Sequence, residues 1–158
     1  MVHKHISETI IQLLKMLPEL YAGVHLRGTD FLDESEAQAA NMLVRKFISG
    51  IEEDKIFVAT DSSTFLDLIR IERPHNRIYN LSGSLMQERS PIHMIDSKSL
   101  PEGLKSKVNL YAILDLALLS FARLVYVPLI SHRGYSGFGR LAQFLNVTKQ
   151  TRASFFGL

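Results

Sequence analysis

The chain has 158 residues, 46% of them hydrophobic and 22% charged, a globular balance at one-domain length that excludes two full lobes, a fibrous repeat and general disorder. It contains no Cys, which excludes disulfides, a thiol nucleophile and Cys-ligated zinc or iron–sulfur centres. The net charge of +2 hides a gradient, with 11 Lys/Arg against 14 Asp/Glu in residues 1–100 and 7 against 2 in residues 101–158; the excess suits an anionic small ligand and is too modest for a nucleic-acid partner.

Met1–Lys15 carries His3, Lys4, His5 and Glu8 and no uninterrupted apolar block, so no secretory signal is expected and the cytosol is the simplest compartment. Ile6, Ile10, Leu13, Leu14 and Leu17 repeat at helical spacing after Ser7, and Pro18 ends the segment, which predicts a first helix over 7–17. Tyr21–Leu26 is short, apolar and β-prone and runs into Arg27-Gly28-Thr29-Asp30, a strand followed by a polar loop. Asp33 with Glu36 resembles a capping box, Ala40, Leu43, Val44, Phe47 and Ile48 form one stripe, and Gly50 sits at a helix stop, predicting a second helix. Lys55–Ala59 reads as a buried strand, and Thr60-Asp61-Ser62-Ser63 supplies caps for a helix through Phe65, Leu68 and Ile69.

Arg77–Asn80 predicts a third strand. Leu81–Ser106, with Gly83, Pro91, Pro101 and Gly103, has no period and reads as a long loop. The most apolar run, Leu110–Val127, is interrupted by Asp115 and Arg123 and ends in β-prone residues; it predicts a buried helix over 108–121 and a fourth strand over 124–127 rather than a membrane span. Ser136–Phe144 predicts a last helix, and residues after Val147 read as a frayed tail. Strands alternating with helices define an α/β domain with a parallel sheet of about four strands and helices on both faces.

In such sheets ligands bind beyond the carboxyl ends of the strands. The loops there are polar: Arg27, Thr29 and Asp30 after the first strand, Asp61, Ser62 and Ser63 after the second, and Ser131, His132, Arg133, Gly134, Tyr135, Ser136 and Gly137 after the fourth. The last loop, with Gly139 beyond it, leads into a helix and suits a phosphate, toward which Arg27 and Arg133 offer fork-shaped donors. No G-x-G-x-x-G follows the first strand and no Walker motif occurs, which disfavours nicotinamide enzymes and P-loop NTPases. Asp30 and Asp61 also invite comparison with phospho-receiver domains, but Tyr126-Val127-Pro128 stands where a receiver has its Lys.

Tyr21-Ala-Gly-Val-His25-Leu-Arg27-Gly-Thr-Asp30 resembles the first motif of the GDP-fucose-dependent fucosyltransferases of the α1,6, nodulation-protein and protein O-fucosyltransferase superfamily, in which a strand ends in His-x-Arg-x-x-Asp. Ile56-Phe-Val-Ala-Thr-Asp61 is similar to the family's strand ending in Ala-Thr-Asp. Ile113–Val125, containing Asp115 and Leu119-Ser120, is similar to its Asp-x-x-x-Leu-Ser segment, and Tyr135-Ser136-Gly-Phe138-Gly-Arg140-Leu-Ala142 to its Ser-x-Phe-Ser-Arg-Leu-Ala element. Order and spacing agree over residues 20–146. The resemblance implies a Rossmann-like three-layer domain equivalent to the C-terminal, donor-binding lobe of a two-lobed GT-B glycosyltransferase, spanning 1–158 with a family-like core over 19–147 and a tail over 148–158.

The resemblance further implies inverting transfer of fucose from GDP-fucose to a glycan or protein acceptor once an acceptor lobe is supplied, with no metal or other cofactor. It makes Arg27 the catalytic guanidinium that holds the β-phosphate and stabilises departing GDP. His25 and Asp115 match nucleotide contacts, Ser136 and Gly137 with nearby amides the diphosphate contact, and Thr29, Asp30, Asp61 and Arg140 the surrounding donor site. Gly28 replaces the second Arg of the α1,6 type and Gly139 the later Ser. Since the family's acceptor lobe precedes the first motif, a partner lobe or a homodimer is an expected complement.

Other readings of the same residues stand beside these. Arg27 and Asp30 form a surface ion pair, Asp115 pairs with Arg123 or Arg140 inside the fold, and Ser136 is an ordinary helix cap. Two other function classes are weighed against the enzyme: a non-catalytic sugar-nucleotide-binding module that keeps the anion site, and a receiver-like signalling domain. His3, His5 and His93 read as exposed, and no metal is assigned.

Overall fold

The computed structural model describes residues 4–28, 34–81, 102–129 and 136–158. Along the chain they form α1 (Lys4–Met16), β1 (Ala22–Leu26), α2 (Glu34–Ser49), β2 (Lys55–Thr60), α3 (Ser63–Glu72), β3 (Arg77–Tyr79), α4 (Glu102–Phe121), β4 (Leu124–Tyr126), α5 (Gly137–Val147) and α6 (Lys149–Phe156). All four strands are parallel, in the order β3-β2-β1-β4. Ala22 pairs with Ile56 on one side and Leu124 on the other, so β1 is central, and β2 continues the register outward through Phe57 opposite Tyr79.

This order matches the contiguous 3-2-1-4 part of the 3-2-1-4-5-6 doubly wound arrangement and differs from the 2-1-3-4-5 order of receiver-type folds. In the latter the third strand would sit beside the first, whereas here β3 pairs with β2. The receiver-like expectation is therefore set aside by topology.

The alternation of side chains along the strands separates two cores. Ala22, Val24 and Leu26 of β1 with Ile56 and Val58 of β2 meet Ala40, Val44 and Ile48 of α2 and Phe65, Leu66, Leu68 and Ile69 of α3. On the opposite face Phe57 and Ala59 meet the apolar length of α4, with Ile10 of α1, Ala142 and Leu145 of α5 and Phe156 of α6. The result is a three-layer α/β domain. Because α4 lies between the sheet, α1 and α5, it is buried over residues 114–120, which explains its lack of a polar face. Gly23 permits that contact: a Cβ there would stand 3.0 Å from Ala122 Cβ and 3.2 Å from Leu119 Cδ2.

The segment after Val147, expected to fray, is instead the helix α6. Phe156 is fully buried, Ser7 Oγ donates to its carbonyl at 2.6 Å, and its ring lies 6.4 Å from that of Phe121. Arg152 donates from Nη1 to Ser120 O at 2.5 Å and lies 4.0 Å over the Phe121 ring, while Asn146 Nδ2 donates to Ser120 O and Ala122 O at 2.9 and 2.7 Å. Cationic and amide donors thus satisfy the carbonyls that end α4, where the helix dipole is negative. Helical spacing was weak here because the segment buries one large ring, Phe156, while its polar residues and Phe155 lie largely exposed. The long loop read over 81–106 ends earlier, since α4 begins at Glu102; residues 82–101, including His93, lie outside the described residues, as does Asp33 of the second helix's capping box. No described helix is long and apolar enough to cross a membrane.

Candidate functional site

β1 has β2 on one side and β4 on the other, so the carboxyl end of β1 is the topological switch point where a crevice opens in a doubly wound sheet. A cavity of about 280 Å³ lies there. It is lined by His25 and Arg27 from the end of β1, Ala59, Thr60 and Asp61 from the end of β2, Val108, Tyr111, Ala112 and Asp115 from α4, and Ser136 and Phe138 from the start of α5. Its volume lies near the lower end of the roughly 300–1,000 Å³ typical of small-molecule sites.

His25 and Arg27 occupy alternate positions with Gly23, so they share the β1 face that meets α4. The His25 ring borders the cavity, 5.0 Å from the Phe138 ring. Its Nδ1 lies 3.1 Å from Ala59 O and its Nε2 2.9 Å from Ser136 Oγ. Burial pushes this imidazole down to about 4; nearby Arg27 acts in the same direction, while Asp61 and the Ala59 carbonyl oppose the shift. At neutral pH His25 is therefore uncharged, and the carbonyl of Ala59, able only to accept, assigns the ring proton to Nδ1.

Asp61 Oδ1 accepts from the Gly28 amide at 2.9 Å and so ties the turn after β1 to the end of β2. Ser62 closes that turn from the other side, its amide donating to Thr60 Oγ1 at 3.1 Å and its hydroxyl accepting from Phe65 N at 3.3 Å as the α3 cap. Ser136 is the α5 cap and accepts from the Gly139 amide at 3.4 Å. The cap reading of Ser136 thus holds together with its position in the cavity wall. Asp115 is only 6% exposed yet lines the cavity, a carboxylate held at low dielectric beside an opening of ligand size.

Of the residues picked out in the sequence, His25, Arg27, Asp61, Asp115 and Ser136 meet in this one cavity. Gly137 and Arg140 do not line it and lie exposed on the first turn of α5. Thr29, Asp30 and Arg133 fall outside the described residues. Sequence reading missed Tyr111, which forms one wall with Val108, Ala112 and Asp115. The signal was present: these positions stand seven, four and three residues before Asp115, on the same face of a helix.

Both glycine departures have a steric cause. A Cβ at Gly28 would run into the Phe65 ring, 2.8 Å from Cδ2, and one at Gly139 would lie 2.5 Å from Val127 Cγ1 and 2.9 Å from His25 Cδ2. Larger residues at either position require their neighbours to move. Among the described residues no group of three or more His, Asp or Glu side chains is arranged to hold a metal ion.

No protein-family model matches the chain. No curated protein matches its sequence. Among solved structures the chain is similar to NodZ, an α-1,6-fucosyltransferase co-crystallised with GDP, with a TM-score of 0.55 and 20% sequence identity over 90% of this chain. The chain spans 42% of that protein's length. The fold is accordingly fucosyltransferase-like, an α/β layer arrangement shared with part of a larger enzyme.

Proposed function

We propose that the chain is a donor-binding domain of fucosyltransferase type that holds GDP-fucose in the cavity at the carboxyl ends of β1 and β2. The observation that carries this reading is the convergence of His25, Arg27, Asp61, Asp115 and Ser136, from four separate elements, on one cavity at the topological switch point. Likeness of the fold to a GDP-bound fucosyltransferase supports it.

In this reading the Arg27 guanidinium binds the β-phosphate and strengthens its hold as negative charge builds on departing GDP. The Asp115 carboxylate accepts from the guanine N–H groups, a pairing that a buried acceptor offers guanine and denies adenine. Tyr111 and Phe138 supply apolar ring surface beside the base or ribose. Asp61 keeps the Arg27-bearing turn in place through the Gly28 amide. Transfer is an inverting displacement: an acceptor hydroxyl oxygen bonds to the fucose anomeric carbon and gives up its proton to solvent or to a base on the acceptor side, as the carbon–oxygen bond to the β-phosphate breaks and GDP leaves with the electron pair. The reading places charge compensation on Arg27 and requires no further cofactor. The acceptor, glycan or protein, binds to a complementary lobe or subunit.

A second reading is a sugar-nucleotide-binding module without transfer, which the same cavity residues serve because they address nucleotide and diphosphate. Calorimetric titration with GDP-fucose, GDP and ADP in EDTA tests the shared part of both. Binding of the two guanine nucleotides with at least tenfold preference over ADP is expected, and its absence in a folded chain overturns the donor-site assignment. Release of GDP on addition of candidate acceptors then separates transfer from binding alone.

A further inference from the structure

We infer that His25 is a positioning residue that locks the Ser136 hydroxyl, and with it the first turn of α5, against the end of β1, so that this hydroxyl is spent inside the protein and does not donate to the bound ligand. The binding consequence rests on the nucleotide reading above; the lock itself does not.

A backbone carbonyl has no proton to give, so the 3.1 Å contact of Nδ1 with Ala59 O requires Nδ1–H. In the neutral ring Nε2 is then an acceptor, and the 2.9 Å contact with Ser136 requires the serine to donate its hydroxyl proton inward. The Oγ lone pairs in turn face the Gly139 amide at 3.4 Å. The chain of donors therefore runs in one direction, from Gly139 N–H to Ser136, from Ser136 O–H to His25 Nε2, and from the ring's single N–H, at Nδ1, to Ala59 O. Packing holds the ring in this orientation: Phe138 lies 5.0 Å away, and the missing Cβ of Gly139 leaves the space next to His25 Cδ2. The charged and titratable groups facing the ring are Arg27 on its own strand's end, Asp61 after β2, and Asp115 and Tyr111 across the cavity on α4. An imidazolium would make Nε2 a donor, reverse the serine and turn its proton toward the cavity.

This differs from the role that the fucosyltransferase resemblance implies for Ser136, a direct diphosphate contact, and the two are separable by experiment. Nitrogen-15 NMR of the imidazole in the ligand-free chain at pH 7 is expected to show a neutral ring protonated at Nδ1. An Nε2–H tautomer or an imidazolium would overturn the lock. GDP titration of His25→Leu, Ser136→Ala and the double variant is expected to show each single change weakening binding about 3- to 10-fold, with the double no weaker than the worse single, because both break one link. Multiplying losses would mean that Ser136 contacts the ligand independently, against the inference. His25→Gln, which keeps an oxygen acceptor near the place of Nε2, is expected to recover part of the loss. Should the wild-type chain fail to bind GDP, the nucleotide reading falls and the lock is decided by hydrogen exchange: the Gly139 amide is expected to lose protection in His25→Leu and keep it in His25→Gln, and equal exchange in both overturns it.

Discussion

Lowering the pH from 7 to 5 is expected to destabilise the chain through His25 by an amount that the site's geometry sets. An unfolded imidazole titrates near 6.5, whereas burial in the fold pushes His25 down to about 4. Between those values the unfolded chain takes up a proton that the native state refuses. Stability from this group is therefore complete above pH 6.5 and is lost as the pH falls toward 4. The whole difference corresponds to about 3 kcal/mol, and the share lost between pH 7 and pH 5 is about 2 kcal/mol. Because one edge of the ring borders the cavity and water reaches it, the measured loss should fall between about 1 and 2 kcal/mol. The assay is urea unfolding at pH 7, 6, 5 and 4.5 for the wild type and for His25→Leu, with His25→Asn as a second reference. Carboxylates titrate alike in all three, so the difference between the curves isolates the imidazole. The wild type should lose stability relative to the variants as the pH falls; parallel curves would refute burial of a neutral His25.

Arg27→Ala is expected to weaken GDP binding by more than about 1.5 kcal/mol, the loss of a charge-assisted contact, and unchanged calorimetric affinity in a folded variant would remove Arg27 from the site. Phe156→Ala empties a fully buried ring position beside Phe121 and Phe155 and should cost about 3–5 kcal/mol, a fall of roughly 9–15 °C in Tm for a chain of this size; a thermal melt within 2 °C of wild type would return residues 149–158 to a tail. Gly28→Ala forces a Cβ against the Phe65 ring and should cost about 1–3 kcal/mol in chemical denaturation, with loss of the backbone contact to Asp61 visible in the shift of the amide at position 28 relative to wild type.

Apart from α6 and the first turn of α4, the elements and their order were readable in the residues, since helix and strand periods are properties of near neighbours. The short apolar runs 21–26 and 55–59 and the stripe Ala40, Val44, Ile48 each describe contacts that their own segment presents to a core. The polar residues that follow the strands were legible for the same reason: in a parallel sheet every strand's carboxyl end lies on one edge, so Arg27, Asp61 and Ser136 were bound to face the same side. Residues 108–121 were recognisable as a buried helix by composition, and their face toward the cavity, through Val108, Tyr111 and Asp115, followed from spacing once one member was chosen.

Which strands are neighbours is decided by the tertiary structure, because pairing joins residues far apart in the chain and no local period encodes it. The order β3-β2-β1-β4 brings the end of β1 against both β2 and β4, and only that adjacency lets His25 reach Ala59 and Ser136, the latter 111 residues away. The same holds for α6, whose docking through Ser7 and Phe156 spans 149 residues. Gly28 and Gly139, seen in the sequence as missing side chains, prove to be places where Phe65, Val127 and His25 occupy the space a side chain would need. Local chemistry thus determined what the segments are and which residues they offer at the sheet edge. Long-range packing determined which of those residues meet, since close contact is a property of the folded surfaces and not of the chain that forms them.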